Sequence, residues 1–138
     1  MNTREKISYL KQYKYIDNHI NRLLEEKENW RIKAERITST VSDMPINPGW
    51  ENQREEAICK MVECEQEAIK LSKELVELRK NIEKAIQGIG RKDLALLLFY
   101  RYIDGKHWEE IAYLLKCSWR HVHRKHSEAL EKIKIKMS

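Results

Sequence analysis

The 138-residue sequence predicts an all-α protein with a long antiparallel helical hairpin of coiled-coil type, followed by a C-terminal three-helix helix-turn-helix domain. Charged residues make up 36% of the chain, which has only four Gly and two Pro, and this composition favours long helices with polar outer faces. Apolar residues recur with heptad spacing through two long segments. Three shorter helical patterns follow. We therefore predict a hairpin over residues 1–87 and a second domain over 88–138.

The first helix is predicted from about Thr3 to Val41 by two heptad positions that are apolar in almost every repeat. These positions hold Tyr13, Ile20, Lys27, Ala34 and Val41, and Tyr9, Ile16, Leu23, Trp30 and Ile37. Only Lys27 interrupts five repeats. Pro45, Pro48 and Gly49 then end the helix, because proline cannot continue it and glycine permits a turn.

The second helix is predicted to begin near Glu51 and to repeat the heptad pattern. Its apolar positions are Met61, Ala68, Leu75 and Ile82, and Ala57, Cys64, Leu71, Leu78 and Ala85. The two patterns are similar in length and are joined by a short linker, which favours an antiparallel hairpin.

A two-helix hairpin buries little surface, so we predict that a second copy covers it as a homodimer. The residues predicted for dimerisation are Tyr13, Ile16, Ile20, Leu23, Trp30, Leu71, Leu75 and Leu78. The alternative is a monomer whose hairpin packs on its own C-terminal domain.

The C-terminal domain is predicted to contain helices over Lys92–Tyr102, Trp108–Lys116 and Trp119 to about Met137, separated near Gly105 and at residues 117–118. The last two match a helix-turn-helix unit. Ala112 is small enough for a close helix crossing, Ile111, Leu115 and Val122 point to the core, and Ser118 is an N-cap. Trp108, Tyr113 and Phe99 are also expected in the core, and Cys117 in the apolar lining of the turn.

Two positions depart from that pattern. Lys116 stands where Gly is usual before the turn, and Lys125 stands at a site expected to be apolar. We expect the Lys125 stem to lie on the core with its ammonium group outward.

The excess positive charge lies entirely in the last third of the chain. Residues 1–87 contain 16 Lys and Arg against 16 Asp and Glu, whereas residues 88–138 contain 11 against six, and the net charge is +5. Four of the five histidines are also there. This asymmetry favours a polyanionic partner for the C-terminal domain.

The last helix carries the predicted binding face, and the segment from Trp119 to Ser127 contains no acidic residue. The residues predicted to bind DNA are Ser118, Trp119, Arg120, His121, His123, Arg124, Lys125 and Ser127. Arginine suits bidentate contact with guanine or phosphate, and the N-terminal end of such a helix enters the major groove. The alternatives are a plain solvated face, or a metal site that uses Cys117 and His121.

The sequence predicts neither an enzyme nor a bound cofactor. It contains no constellation of nucleophile, base and orienting group, and no glycine-rich loop that would hold phosphates. The three cysteines form no C-x-x-C pair, which argues against a disulfide framework or zinc site. No apolar run is long enough to cross a membrane, so a cytoplasmic location without membrane contact is expected.

The segment "LLLFYRYIDGKHWEEIAYLLKCSWRHVHRKHSEALEKI", residues 96–133, resembles the promoter-binding domain of bacterial sigma factors. It is more similar still to phage-encoded, sigma-like regulators of the ArpU and RinA kind. The resemblance implies a transcriptional regulator that binds promoter DNA in a bacterial host cell, with RNA polymerase as a candidate second partner. It also places Ser118, Arg120, His121, His123 and Arg124 where that family contacts DNA.

Two other functions fit the same layout. Small terminase subunits of phages join a helix-turn-helix to a coiled-coil hairpin and bind packaging DNA, although their DNA-binding unit usually comes first in the chain. A helical protein-interaction module is the third reading, in which the basic helix meets an acidic partner protein.

Overall fold

The computed structural model describes residues 1–42 and 48–136, and for residues 40–42 and 48 only the backbone is considered. The elements are α1 (Thr3–Ser42), α2 (Pro48–Gln87), α3 (Lys92–Leu98), a π-helical segment (Phe99–Ile103), α4 (Trp108–Leu114) and α5 (Trp119–Lys132). The described residues include no strand. The predicted fold class is confirmed: α1 and α2 form a long antiparallel hairpin, and a small packed three-helix unit follows it.

The hairpin buries part of the predicted heptad pattern, and it also buries Leu10 and Ile86, which belong to neither predicted position. Tyr13, Ile20 and Ala34 are buried in α1, and Ala57, Cys64, Ala68 and Ile82 are buried in α2. The predicted break at Pro45 and the side chain of Val41 lie outside the described residues. α2 begins at Pro48, where the missing amide hydrogen of proline costs the helix nothing.

The chain divides into two compact units, and the boundary between them falls within both long helices of the hairpin. The larger unit contains Met1–Ile16 and Leu75–Ser138, and the smaller unit contains Asp17–Glu74. The larger unit therefore combines the outer ends of both long helices with the three C-terminal helices.

One apolar core holds the larger unit together. Its buried side chains from the hairpin are Leu10, Tyr13, Ile82 and Ile86, and those from the C-terminal helices include Leu94, Leu97, Leu98, Ile111, Val122, Leu130 and Ile133. Lys6 of α1 donates a hydrogen bond from Nζ to the carbonyl oxygen of Leu130, 2.7 Å away. This hydrogen bond satisfies a backbone carbonyl group near the C-terminus of α5, where a positive charge is also favourable.

The helix that begins with α3 ends in a wider turn. The amide of Asp104 donates to the carbonyl oxygen of Phe99 over 3.0 Å, five residues back, as in a π-helix. Gly105 follows with φ +71°, and a Cβ atom at this position would lie 2.6 Å from Cε of Lys14. The break predicted at Gly105 is thus confirmed, and the positive φ favours glycine there, whereas the Lys14 side chain could move aside for a Cβ atom.

The turn between α4 and α5 follows the predicted chemistry. Ile111, Ala112 and Val122 are buried, as expected for two closely crossing helices. Lys116 adopts φ 54°, the left-handed conformation that explains the usual glycine at this place. The amide of Cys117 then donates to the carbonyl oxygen of Ala112 over 3.0 Å.

The predicted end of the last helix near Met137 is wrong, because α5 ends at Lys132. Ile133 is the C-cap residue in an extended conformation, and its side chain is buried in the core of the larger unit. Continuing the helix would remove Ile133 from that position. Met137 itself lies outside the described residues.

The smaller unit has a narrow interior. Its buried hydrophobic side chains are Ile20, Ala34, Ala57, Cys64 and Ala68. Lys27, which interrupts the heptad pattern, is half-buried and places Nζ 3.6 Å from a carboxylate oxygen of Glu65. A lysine is accommodated in the seam because its charged end reaches an acid on the other helix.

Candidate nucleic-acid interface

The first turn of α5 is fixed by the side chain of Ser118. Its Oγ accepts a hydrogen bond from the amide of His121 over 3.1 Å, and its backbone is extended. Both features define an N-cap, so this prediction is confirmed. His107 likewise precedes α4 as the N-cap residue, but its side chain makes no capping hydrogen bond.

The N-terminal half of α5 presents an exposed basic face. Arg120, His121, Arg124 and Ser127 are exposed, and Arg120, Arg124 and Ser127 fall on one side of the helix because they are four and three residues apart. Arg120, His121 and Arg124 form no ion pair with any residue that the structure describes. The two guanidinium groups and the His121 ring are therefore available to a partner.

His123 is held among aromatic rings and does not share that exposure. Its ring lies 4.0 Å from the ring of Trp119 and 4.7 Å from the ring of Trp108, between centroids. Its Nε2 atom is buried and has no hydrogen-bond partner among the described residues. Trp119, in contrast, is 60% exposed. The His123 ring thus packs against the indole of Trp119 and is itself only partly exposed to solvent.

His126 belongs to the same cluster of aromatic rings as Trp108 and His123, and it makes a polar contact with Tyr102. The Tyr102 hydroxyl lies 2.8 Å from Nε2 of His126, and the ring centroid of Trp108 lies 4.6 Å from that of His126. Burial lowers the pKa of His126 to about 4, with smaller contributions from His123 and Arg101. Burial also raises the pKa of Tyr102 to about 12. Both side chains are neutral near pH 7, and the tautomer of His126 determines which of the two donates the hydrogen bond.

Arg101 also contacts this aromatic cluster. Its guanidinium group lies 4.5 Å from the ring centroid of Trp108, and Nη1 donates to the carbonyl oxygen of Lys106 over 3.1 Å. The cluster therefore links the π-helical segment, the start of α4 and α5. Sequence reasoning missed it, although the spacing of His123 and His126 places both rings on one face of α5.

Lys125 points to an acid of its own chain. Its Nζ lies 3.3 Å from a carboxylate oxygen of Asp93, and its side chain is only 19% exposed. Burial of Asp93 raises the pKa of that carboxyl, but hydrogen bonds from Arg91, Lys125 and the Leu94 amide outweigh burial and hold the pKa below its usual value. The charge of Lys125 is therefore paired within the unit, and the path of its stem along the core stays a prediction.

Glu128 belongs to the same charged network. Arg91 donates hydrogen bonds to both Glu128 and Asp93, and Nζ of Lys132 lies 3.7 Å from a carboxylate oxygen of Glu128. Glu128 is therefore paired with Arg91 and Lys132.

Tyr113 was expected in the core, and this prediction is wrong. Its side chain is 83% exposed, and that of Leu114 is 44% exposed. Ile111 and Ala112 already occupy the inward positions of α4, so the next two positions face solvent. By contrast, Trp108, Phe99 and Cys117 pack against the core as predicted.

The charge of the two units differs in sign. The larger unit, which contains α5, has 18 Lys and Arg against nine Asp and Glu, whereas the smaller unit has nine against 13. A polyanion is therefore attracted to the larger unit.

The residues predicted for dimerisation are already covered to different extents by their own chain. Tyr13 and Ile20 are buried, and the other six, Ile16, Leu23, Trp30, Leu71, Leu75 and Leu78, are half-buried. Arg79 donates to the Tyr13 hydroxyl over 3.2 Å, which occupies that side chain further. Dimerisation remains a prediction, but much of this seam is used within the hairpin.

Two properties of the described ranges bear on other kinds of site. Within residues 1–42 and 48–136, no group of three or more His, Cys, Asp and Glu side chains is arranged to hold a metal ion. In the same ranges, no helix combines the length and the apolar character that a membrane span requires.

Comparison of the chain with protein-family models, with curated proteins and with solved structures finds no match. No family is identified by these comparisons, so the arguments about function rest on the residues and geometry described above.

Proposed function

We propose that this protein binds double-stranded DNA through the exposed face of α5. The observation that carries the proposal is the placement of Arg120, His121 and Arg124, which are exposed without an acidic partner at the capped N-terminal half of the helix. Free amides and the helix dipole favour phosphate at such a helix end, and arginine can pair with guanine in the major groove. The charge of the larger unit supports the same conclusion.

The packing behind α5 gives that face a fixed orientation. α4 packs against α5, and Ala112 of α4 and Val122 of α5 are both buried. In a helix-turn-helix unit the second helix enters the major groove. The aromatic cluster of Trp108, His123 and His126 restrains the same helix from its inner side. Arg120 and His121, within the first turn, are proposed to lie nearest the base edges, and Trp119 beside the backbone.

The resemblance of residues 96–133 to promoter-binding domains extends this proposal to transcription. We propose a sigma-like regulator of phage or prophage origin that acts at promoters in the bacterial cytoplasm, with RNA polymerase as a second partner.

Recovery of bound DNA from the whole genome tests this proposal. The expected result is a small set of sites upstream of transcribed genes, which an Arg120→Ala variant no longer recovers. Recovery of one site at a packaging locus would replace the regulator with a terminase subunit. Failure to bind any duplex, with the protein folded, would reject DNA binding and favour an acidic protein partner.

A further inference from the structure

A cleft of about 520 Å³ lies within the larger unit, beside the segment that follows α5. Pockets that hold small molecules are commonly roughly 300–1,000 Å³ in size, so this cleft has room for a small ligand. Its walls come from α1, α2 and the segment after α5. The described residues that line it are Tyr9, Gln12, Asn81, Lys84, Ala85, Lys134, Ile135 and Lys136.

The end of α5 at Lys132 gives the cleft two of its charged residues. Ile133 is extended, and side chains in an extended segment alternate between two sides with a period of two residues. Ile133 is buried and Ile135 packs against the core, whereas Lys134 and Lys136 are exposed and both line the cleft. In a continued helix these two lysines would be about 200° apart around the axis and would face different sides.

Three lysines make the lining of this cleft positive. Lys84 of α2 lines it together with Lys134 and Lys136, and none of the described lining residues is acidic. The three lysines form no ion pair with any residue in the ranges 1–42 and 48–136. Each ammonium group can donate charge-assisted hydrogen bonds, so the cleft attracts an anion that carries several negative charges.

The rest of the lining suits a flat organic group. Tyr9, Ala85 and Ile135 are half-buried and pack against the apolar core, so they form a fixed apolar wall beside the lysines. Gln12 and Asn81 are exposed, and each side-chain amide offers both donors and an acceptor. A nucleobase has an apolar face and a polar edge with donors and acceptors, so it matches both kinds of residue.

We propose that this cleft binds a nucleoside polyphosphate, with its phosphate groups at the three lysines and its base against Tyr9 and Ile135. The site is separate from the proposed base-reading residues, because Arg120 lies at the opposite end of α5, about 20 Å along the helix. A free nucleotide fits the cleft better than duplex DNA does, since its base is free to contact the apolar wall, whereas the bases of a duplex are paired and stacked.

Calorimetric titration of the full chain, in the absence of DNA, tests the site with ATP as the probe. Saturable binding of one ATP per chain is expected. Adenosine, which lacks the phosphates, is expected to show no measurable binding. Tripolyphosphate, which lacks the base, is expected to bind about tenfold more weakly than ATP, because contact of a base with an aromatic ring is lost. Absence of saturable ATP binding, or equal affinity for ATP and tripolyphosphate, overturns the inference.

Substitution of single lysines locates the binding. Lys84→Ala and Lys136→Ala are each expected to raise the dissociation constant for ATP by about tenfold. Lys92→Ala is the matched control, because Lys92 is exposed in the same unit and does not line the cleft, and it is expected to leave the affinity unchanged. Equal weakening by all three would indicate general attraction between charges and contradict the site. Circular dichroism of each variant verifies that it is folded.

A parallel titration with a DNA duplex separates this inference from the proposed function. Lys134 is left unchanged in every variant, because it is also expected to contact DNA phosphate. A chain that binds the duplex but not ATP would overturn the nucleotide site alone and leave the proposed DNA binding in place.

Discussion

Ser118 is the single residue on which the start of α5 depends most directly. Ser118→Ala removes the acceptor for the His121 amide and is expected to lower the free energy of unfolding by about 1 kcal/mol. Ser127→Ala is the control, because Ser127 is exposed and its hydroxyl only donates to the carbonyl oxygen of His123 within the helix. Urea denaturation of both variants measures the difference. Equal stabilities of the two would show that the cap contributes nothing.

The buried imidazole of His126 makes the stability of the larger unit depend on pH. The pKa of His126 is about 4 in the folded protein, below the ordinary value of 6.5. As the pH falls from about 6.5 to about 4, the unfolded chain binds a proton at His126 that the folded chain does not, so stability decreases over that window. Above it, this group has no effect.

The His126→Gln variant measures that contribution. Its melting temperature is expected to fall less between pH 7 and pH 4.5 than that of the wild type, whatever its stability at neutral pH. His121→Gln, at an exposed position, is expected to keep the wild-type pH dependence. Identical pH dependence of wild type and His126→Gln would contradict the assigned role of burial.

At the scale of single residues, the sequence predicted what local rules determine. The Ser118 cap follows from one side chain and its own backbone, and the burial of Ala112 and Val122 follows from helical spacing. The partner of Lys125 could not be read from the sequence, because Asp93 is 32 positions away in the chain. The contact of His123 with Trp108 depends in the same way on how α4 packs against α5.

The packing of α3 beside α5 determines what Lys125 binds, because it supplies an acidic partner for this basic residue. Because α3 brings Asp93 to its ammonium group, Lys125→Ala is expected to destabilise the protein by about 1 kcal/mol and to leave DNA affinity and its salt dependence unchanged. Chemical denaturation and duplex titration of the same preparation test both parts. A loss of affinity that grows at low salt, with unchanged stability, would instead place Lys125 on the DNA backbone.

At the scale of elements, helix type, order and the starts of α3, α4 and α5 were predictable from heptad spacing and local breaks, whereas the C-terminal ends of α3 and α5 were not. The π-helical turn at Phe99–Ile103 and the end of α5 at Lys132 both serve the core of the larger unit. There Ile103 and Ile133 are buried against side chains from other helices. Such ends are set by tertiary packing, which local propensity does not contain.

At the scale of the whole molecule, the charge difference between the two units explains why the proposed DNA contact lies on one of them. The sequence predicted the basic C-terminal part, but not that the outer ends of α1 and α2 join it in one core through Leu10 and Ile86. Contacts between residues so far apart in the chain are specified by the fold and leave no local pattern.

The most direct test of DNA reading by α5 compares Arg120→Ala with Lys134→Ala on a preferred and a random duplex at two salt concentrations. Lys134 is exposed beyond the end of α5 and is expected to reach only phosphate, so its loss should weaken both duplexes equally and reduce the salt dependence. Arg120→Ala is expected to cost about 1–3 kcal/mol on the preferred duplex and much less on the random one. Equal losses on both duplexes for Arg120→Ala would contradict the account and reduce α5 to a nonspecific basic face.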